Sequence, residues 1–274
     1  MTRKIVVDSS ADLTALPQAC FSAVPLTIHA GNDAYRDDET LDVAGMIASL
    51  RARKGRVTTS CPAPADWQAA FEDADEVFCV TITGALSGSS NAAQVAAADY
   101  RAAHPDRRVF VVDTLSTGPE VALVAERLAQ GASLPFDKLM EDVTRYRQST
   151  RLVFALQSIR NLANNGRVNP AVAALVGLLG IRIIGRASDT GELQQTSKYR
   201  GDKRALAELI AQIEAEGWQG GRMRIHHCCN EEGALALRAR LLERCPDAEI
   251  VIAPTRGLCS FYAEEGGLLV GFET

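Results

Sequence analysis

Several motifs that would indicate a common function are missing from this sequence. No G-x-G-x-x-G follows the first apolar segment and no G-x-x-x-x-G-K-[ST] occurs, so neither a dinucleotide nor a P-loop nucleotide site is indicated. The 29 Lys and Arg against 34 Asp and Glu give a net charge of −5, which argues against a nucleic-acid partner. The longest uncharged apolar run, residues 171–181, is shorter than the roughly 20 residues that span a membrane.

Signals for export and for disulfides are also missing. The apolar stretch after the first four residues is too short for a signal peptide. The seven cysteines are scattered and include no C-x-x-C pair, which favours reduced thiols over a disulfide framework. We therefore expect the protein to be cytoplasmic.

One run of residues contains the side-chain types that bind zinc. His226-His227-Cys228-Cys229 carries four metal-ligating side chains in a row, inside a segment predicted to be a strand. Adjacent side chains on a strand point to opposite faces of the sheet, so all four cannot close one tetrahedron. We expect no metal and no cofactor.

The first half of the chain alternates strand-like and helix-like segments. We predict strands at 4–7, 21–28, 77–82 and 108–112, and helices at 43–52, 65–71, 91–104 and 120–130. Such alternation is typical of a mainly parallel sheet with helices on both faces. The sequence therefore predicts an N-terminal domain of three α/β/α layers over residues 1–149.

From about Gly131 the pattern changes. A helix is predicted at 136–148, a strand at 151–156, an apolar helix at 171–179 and a helix at 203–216. Strands at 181–185 and 193–197 flank Ser188-Asp189-Thr190-Gly191, a hairpin turn signal. We predict a second α/β domain, residues 150–274, with a mixed or antiparallel sheet.

Two loops rich in small hydroxyl residues follow strand-like segments. One contains Thr59 and Ser60, and the other contains Ser87, Gly88 and Ser89. Each loop taken alone is typical of a helix N-cap. Ligands of open α/β sheets bind outside the carboxyl ends of the strands, where hydroxyls and backbone N–H groups hold anions. Because no histidine or carboxylate pair stands beside these loops, we expect a site that holds an anion without reacting with it.

A serine hydrolase is the alternative. Gly84-Ala85-Leu86-Ser87-Gly88 is similar to a nucleophile elbow, which would make Ser87 the nucleophile toward lipid-like esters. The elbow requires glycine where Ala85 stands, and the downstream histidines fall within a predicted strand.

Several motifs along nearly the whole chain resemble those of one known family. Asp8-Ser9-Ser10-Ala11-Asp12-Leu13 resembles a D-S-T-A-D-L signature, Thr59-Ser60-Cys61-Pro62-Ala63 resembles T-S-Q-P-S, Leu86-Ser87-Gly88-Ser89 resembles L-S-G-T, and Asn165-Gly166-Arg167-Val168 resembles G-G-R-I. Each motif is weak alone, but their order is that of the DegV family of bacterial fatty-acid-binding proteins.

The resemblance implies a two-domain carrier that encloses one long-chain fatty acid at the domain interface, without catalysis of its own. The apolar helix at 171–179 would form part of the tunnel wall. The residues that the resemblance assigns to ligand binding are Thr59, Ser60, Ser87, Gly88, Ser89, Arg167, Arg200 and Thr255.

The resemblance also implies partners. Family members present the acid to a separate fatty acid kinase, which makes the acyl phosphate for phospholipid synthesis, and transient contact with a membrane surface is expected. The family's H-x-G-P-G loop is here Thr255-Arg256-Gly257-Leu258-Cys259, with Thr255 at the histidine position. An interaction protein that has lost the lipid role is therefore a third interpretation.

Overall fold

The computed structural model describes residues 2–53, 55–169 and 180–274. The strands are β1 (Arg3–Asp8), β2 (Cys20–Val24), β3 (Thr27–Ala30), β4 (Asp33–Arg36), β5 (Val57–Ser60), β6 (Glu76–Thr81), β7 (Arg108–Asp113), β8 (Thr150–Leu156), β9 (Ile181–Ala187), β10 (Leu193–Arg200), β11 (Met223–His227), β12 (Ile250–Pro254) and β13 (Leu268–Glu273). The helices are α1 (Val43–Ala52), α2 (Pro64–Phe71), α3 (Ser89–Ala103), α4 (Pro119–Gln130), α5 (Phe136–Gln148), α6 (Arg160–Asn164), α7 (Asp202–Ala215), α8 (Glu231–Leu242) and α9 (Gly257–Ala263).

The first sheet is parallel, in the order β2-β1-β6-β7. Every residue of β6 is buried, as expected of a strand covered on both faces. Val77 and Cys79 pack with residues of α2 and α3, whereas Phe78 and Val80 pack with residues of α4 and α5. The predicted α/β/α layering of this region is confirmed.

The second sheet is mixed, in the order β10-β9-β8-β13-β11-β12, and only β11 and β12 pair in parallel. Val153 and Ala155 of β8 face a core shared with α7 and α8. The alternate residues Leu152, Phe154 and Leu156 face the opposite side, towards the first sheet and α9. The predicted mixed sheet is confirmed, and its second face is free to line a ligand site.

A third, antiparallel sheet of the order β4-β3-β5 was not predicted. The predicted single strand at 21–28 is wrong, because the chain changes sheets between β2 and β3. Pro25 cannot donate to a ladder. The N–H of Leu26 donates instead to Oγ of Ser9, at 3.0 Å, and its carbonyl accepts from the N–H of Asp37, at 2.9 Å.

Helix α4 lies between the two main sheets. It contacts β1 and β6 on one side and β8, β11 and β13 on the other, and its residues from Pro119 to Ala125 are all buried. All strands of the second sheet begin at Thr150 or later. The domain boundary near residue 149 stays a prediction. The predicted helix at 171–179 lies outside the described residues. Among the helices that are described, none has the length and apolar character to cross a membrane.

Candidate functional site

A cavity of about 260 Å³ lies where the three sheets meet. Most of its wall is apolar, and these residues are Leu26, Ile82, Leu86, Leu152, Phe154, Leu156, Leu162, Leu193, Leu258, Ala263 and Leu269. Polar groups occupy the rest of the wall, at Thr59, Ser60, Cys61, Ser87, Gly88, Thr117, Arg167, Cys259 and Tyr262. Such a mixture suits a ligand with a long apolar part and one polar group.

The two hydroxyls at the end of β5 face opposite sides of the small sheet. Thr59 pairs with the buried Ile28, and its Oγ1 lies 2.8 Å from the hydroxyl oxygen of Tyr262. Ser60 lies on the other face, and its Oγ is 2.8 Å from Nε2 of His29. The pleat of the strand explains this separation, because successive side chains alternate between faces.

The second hydroxyl loop ends in the N-terminus of α3. Ser87 Oγ accepts a hydrogen bond from the N–H of Ser89 at 3.3 Å, and Gly88 is the N-cap of this 15-residue helix. A Cβ atom at Gly88 would stand 3.1 Å from Sγ of Cys61, so glycine lets the two loops approach closely. The helix N-terminus adds positive potential beside the serine hydroxyl.

Arg167 brings a positive charge to the same cluster. Its Nε donates to the carbonyl of Leu86 at 3.3 Å, and its Nη1 donates to the carbonyl of Asn165 at 2.6 Å. The guanidinium carbon lies 5.8 Å from the centre of the Tyr262 ring. These partners carry no negative charge, so the guanidinium retains affinity for an anion in the cavity. Burial raises the pKa of Tyr262, which therefore stays a neutral hydroxyl at pH 7.

Two buried carboxylates hold the start of α9, which carries Leu258 and Tyr262 to the cavity. The carboxylate of Asp37 accepts from the N–H groups of Gly257 and Leu258, each at 2.8 Å. Asp12 accepts from the N–H of Arg256 at 2.7 Å. Burial raises the pKa of Asp37 to about 6, and the two N–H donors only partly oppose this effect.

The side chains of the His-His-Cys-Cys run lie in different surroundings. Nδ1 of the fully buried His226 lies 2.9 Å from Oδ2 of Asp12, on the first half of the chain. Cys228 is buried and Cys229 is exposed. No cluster of three or more metal-ligating side chains occurs within residues 2–53, 55–169 and 180–274.

The structure brings five of the eight predicted site residues together at the cavity: Thr59, Ser60, Ser87, Gly88 and Arg167. It places the other three elsewhere. The hydroxyl of Ser89 is buried and donates to Oδ2 of Asp8 at 2.7 Å. Arg200 is exposed at the end of the edge strand β10. Thr255 is buried before α9, with Oγ1 2.7 Å from Oγ of Ser260.

Sequence reasoning missed Tyr262 and Thr117. Tyr262 lies 203 positions after its partner Thr59, in a short helix that was not predicted. The only signal for Thr117 was its place in a third hydroxyl-rich strand exit, Asp113-Thr114-Leu115-Ser116-Thr117.

The model of the DegV family matches residues 2–274. A DegV domain-containing protein of Streptococcus pneumoniae is 42% identical, with 100% of this chain and 99% of the relative covered. Among solved structures, the fatty acid kinase B3 protein of the same species, loaded with linoleic acid, is 42% identical with a TM-score of 0.97, covering 100% of this chain and 99% of that one. A DegV protein of Eubacterium eligens loaded with heptadecanoic acid is 40% identical, also with a TM-score of 0.97, and both chains are covered fully.

The match thus extends over the strands, the loops and the helix that form the cavity. The chain belongs to the DegV family.

Proposed function

We propose that this protein binds one long-chain fatty acid, with the acyl tail in the cavity and the carboxylate at its polar cluster. The observation that carries the proposal is the composition of the cavity wall, which is apolar except for hydroxyls, two cysteines, a helix N-terminus and one arginine. The relatives crystallised with linoleic and heptadecanoic acid support the same ligand class.

The energetics favour an acid with a long tail. Each CH₂ group transferred from water to an apolar wall contributes about 0.8 kcal/mol, so the tail supplies most of the affinity. A buried carboxylate requires fixed donors, since an unpaired buried charge is costly. We assign these donors to Thr59, Ser87 and the N–H of Gly88, with Arg167 supplying the opposite charge.

We further propose that the protein acts as a non-catalytic carrier that presents its fatty acid to a fatty acid kinase. The relative described as a fatty acid kinase B3 protein supports this partner class. We assign Arg167 and the exposed Arg200 to kinase docking or to the phosphorylated head group. In this proposal the carrier works in the cytoplasm and touches membrane surfaces only transiently. To test this partner, protein-bound linoleate is incubated with ATP and a kinase. The acyl phosphate that forms is trapped with hydroxylamine.

Mass spectrometry of the purified protein tests the ligand class directly. We expect one fatty acid per chain in the native spectrum, and the same acid after organic extraction. A protein that carries no fatty acid and takes up no added linoleate would contradict the proposal and favour an interaction protein without a lipid role.

Substitution Ser87→Ala tests the head-group site. Loss of a hydrogen bond to an ionised oxygen is expected to raise the dissociation rate of linoleate by about tenfold to a hundredfold. The fold should survive, because loss of a hydroxyl that accepts one N–H at a helix N-terminus costs about 1 kcal/mol. The rate is measured by transfer of labelled linoleate to albumin. Ser133→Ala, in an exposed loop before α5, is the matched control. Equal rates in the two variants would remove Ser87 from the site.

The serine hydrolase alternative has one observation in its favour, though not at Ser87. Ser60 and His29 stand at the distance of a nucleophile and its base. Within the described residues, however, the hydrogen bonds of His29 include no carboxylate that would orient the ring. A fluorophosphonate probe that labels the wild-type protein, but not Ser60→Ala or not Ser87→Ala, would support the hydrolase over the carrier.

A further inference from the structure

The apolar part of the cavity runs along one face of β8. Leu156, Phe154 and Leu152 occupy alternate positions of this strand, and all three line the cavity. Because a strand rises about 3.3 Å per residue, the step from Leu156 to Leu152 covers about 13 Å. The cavity therefore has two ends, one beyond each of these leucines.

The carboxyl end of β8 leads to the polar cluster. The chain continues into α6, where the carbonyl of Leu162, a cavity residue, accepts from the N–H of Arg167 at 2.9 Å. In the same helix, Nδ2 of Asn161 donates to the carbonyl of Phe261 at 2.8 Å, and Tyr262 follows directly. A carboxylate held in this cluster directs its tail back along β8, towards the start of the strand.

The other end of the cavity is closed by the first turn of α4. On β13, Gly271 pairs with Leu152. A Cβ atom at Gly271 would stand 2.6 Å from the backbone N of Glu120 and 2.7 Å from the carbonyl carbon of Pro119, so glycine lets this turn lie directly on the sheet. The hydroxyl of Thr150, two positions before Leu152, donates to Oε1 of Glu120 at 2.7 Å and fixes the turn there.

The lining of the cavity stops at the same level. Thr117, just before α4, lines the cavity, and so do Leu269 and Leu152 on the sheet. Thr150 and Gly271 continue the same face of the sheet, but neither is among the described residues that line the cavity. Leu152 is therefore the last side chain of β8 that a tail meets before the covered part of the sheet.

We propose that Leu152 is a specificity-determining residue that sets the longest acyl tail this protein holds. The inference rests on the proposed function, since it takes the cavity ligand to be a fatty acid with its carboxylate at the polar cluster. Each CH₂ group that reaches the apolar wall strengthens binding about fourfold. A CH₂ group beyond Leu152 has no space, and the tail must then bend or draw its carboxylate away from the hydroxyls. The gain in affinity with tail length ends at that point.

The test offers the delipidated full chain an equimolar mixture of straight saturated acids from myristic to behenic, and native mass spectrometry identifies the bound acid. Leu152→Ala removes an isopropyl group from the end of the cavity and leaves space for a longer tail. We expect the next longer acid of even carbon number to gain about tenfold, relative to the acid that wild type prefers.

Two further variants control for stability. Leu152→Val removes less of the side chain, so a smaller shift towards longer acids is expected, and it provides the measurement if Leu152→Ala does not fold. Val153→Ala is the matched control, at the neighbouring residue on the opposite face of β8. It also shortens a fully buried side chain, but in the core with α7 and α8, and should keep the wild-type distribution.

The outcomes separate the inference from the proposed function. An unchanged distribution in the folded variants of Leu152 overturns its role and leaves the carrier function standing. So does a wild-type protein that binds all tail lengths alike, or the same shift in Val153→Ala, because a loosened sheet would then explain the change. A wild-type chain that takes up neither these acids nor linoleate overturns the proposed function and the inference with it.

Discussion

Two clusters of small polar groups at strand ends differ in what fills them. In one, the fully buried carboxylate of Asp8 accepts hydrogen bonds from the N–H of Ile82 at 2.9 Å and from the hydroxyl of Ser89 at 2.7 Å, besides two from Ser10. In the other, Ser87 and its neighbours surround a cavity. The first is a hydrogen-bonding site filled by the chain's own aspartate, and the second has room for a ligand's carboxylate.

A hydroxyl-rich loop can therefore serve structure and binding at once. Ser87 and Ser89 are separated by one residue, yet one lines the cavity and the other holds Asp8. The difference arises because Ser89 is the first residue of α3, which packs against β6 and β7, and its hydroxyl there reaches Asp8 at the end of β1. Within the described residues, the hydroxyl of Ser89 donates to an internal acceptor, whereas the hydrogen bond of Ser87 leaves its O–H free to donate to a ligand, and this difference depends on the tertiary structure.

The largest effect is expected for Asp8→Ala, which removes the acceptor from the first cluster. The substitution leaves the donors of Ser10, Ile82 and Ser89 buried without an acceptor, which is expected to lower the free energy of unfolding by about 3–5 kcal/mol. Chemical denaturation measures the loss. Asp8→Asn keeps one acceptor oxygen in the same place and is expected to lose less. Wild-type stability in Asp8→Ala would show that these donors need no internal acceptor.

Glu120 is a second buried carboxylate, and it accepts fewer hydrogen bonds than Asp8 does. The hydroxyl of Thr150 donates to it at 2.7 Å, and burial raises its pKa from 4.5 to about 7. Between these values the folded state keeps a proton that the unfolded state releases. The free energy of unfolding therefore falls as the pH rises through this window, and the loss is complete above about pH 7.

We expect Glu120→Gln to remove this contribution. Relative to wild type, the variant should gain up to about 3 kcal/mol in the free energy of unfolding between pH 4.5 and 7.5. Urea denaturation at a series of pH values measures the difference. Parallel stability curves for the two proteins would mean that Glu120 ionises normally in the folded state.

The smallest effect is expected for Ser89→Ala, the counterpart of the substitution at Ser87. Asp8 loses one of its hydrogen bonds, which should lower the free energy of unfolding by about 1 kcal/mol, while linoleate dissociation stays close to the wild-type rate. Faster dissociation in Ser89→Ala without loss of stability would contradict the assignment of this serine to the Asp8 cluster.

Much of the fold could be predicted from the sequence, because most elements have strong local signals. The helices at 43–52 and 136–148 have the predicted bounds, and the others that lie within the described residues differ by one or two residues. The failures have local causes as well. The run at 21–28 is apolar throughout, so periodicity could not reveal that Pro25 divides it between two sheets. The short helix α9 is buried on nearly all sides and has no amphipathic pattern.

The candidate site could be predicted less completely. Motif order identified the loops of Thr59 and Ser87, but it could not tell which hydroxyls have partners inside the protein. Successive side chains on a strand alternate between its two faces. This rule argues against a zinc site at His226 and His227, and it also places the side chains of Thr59 and Ser60 on opposite faces of the small sheet. Tyr262 and His29 contact the site through tertiary pairing, for which the sequence carries no local signal.

The contacts that close the cavity join distant parts of the chain, and this has a consequence during synthesis. Thr59 meets Tyr262 across 203 positions, and Asp37 meets Gly257 across 220. Contacts of such sequence separation form late, because the chain between them must first be ordered. On the ribosome, the parallel sheet can fold well before Tyr262 is translated. The nascent protein thus has no closed pocket in which to trap a lipid, and loading belongs to the released chain.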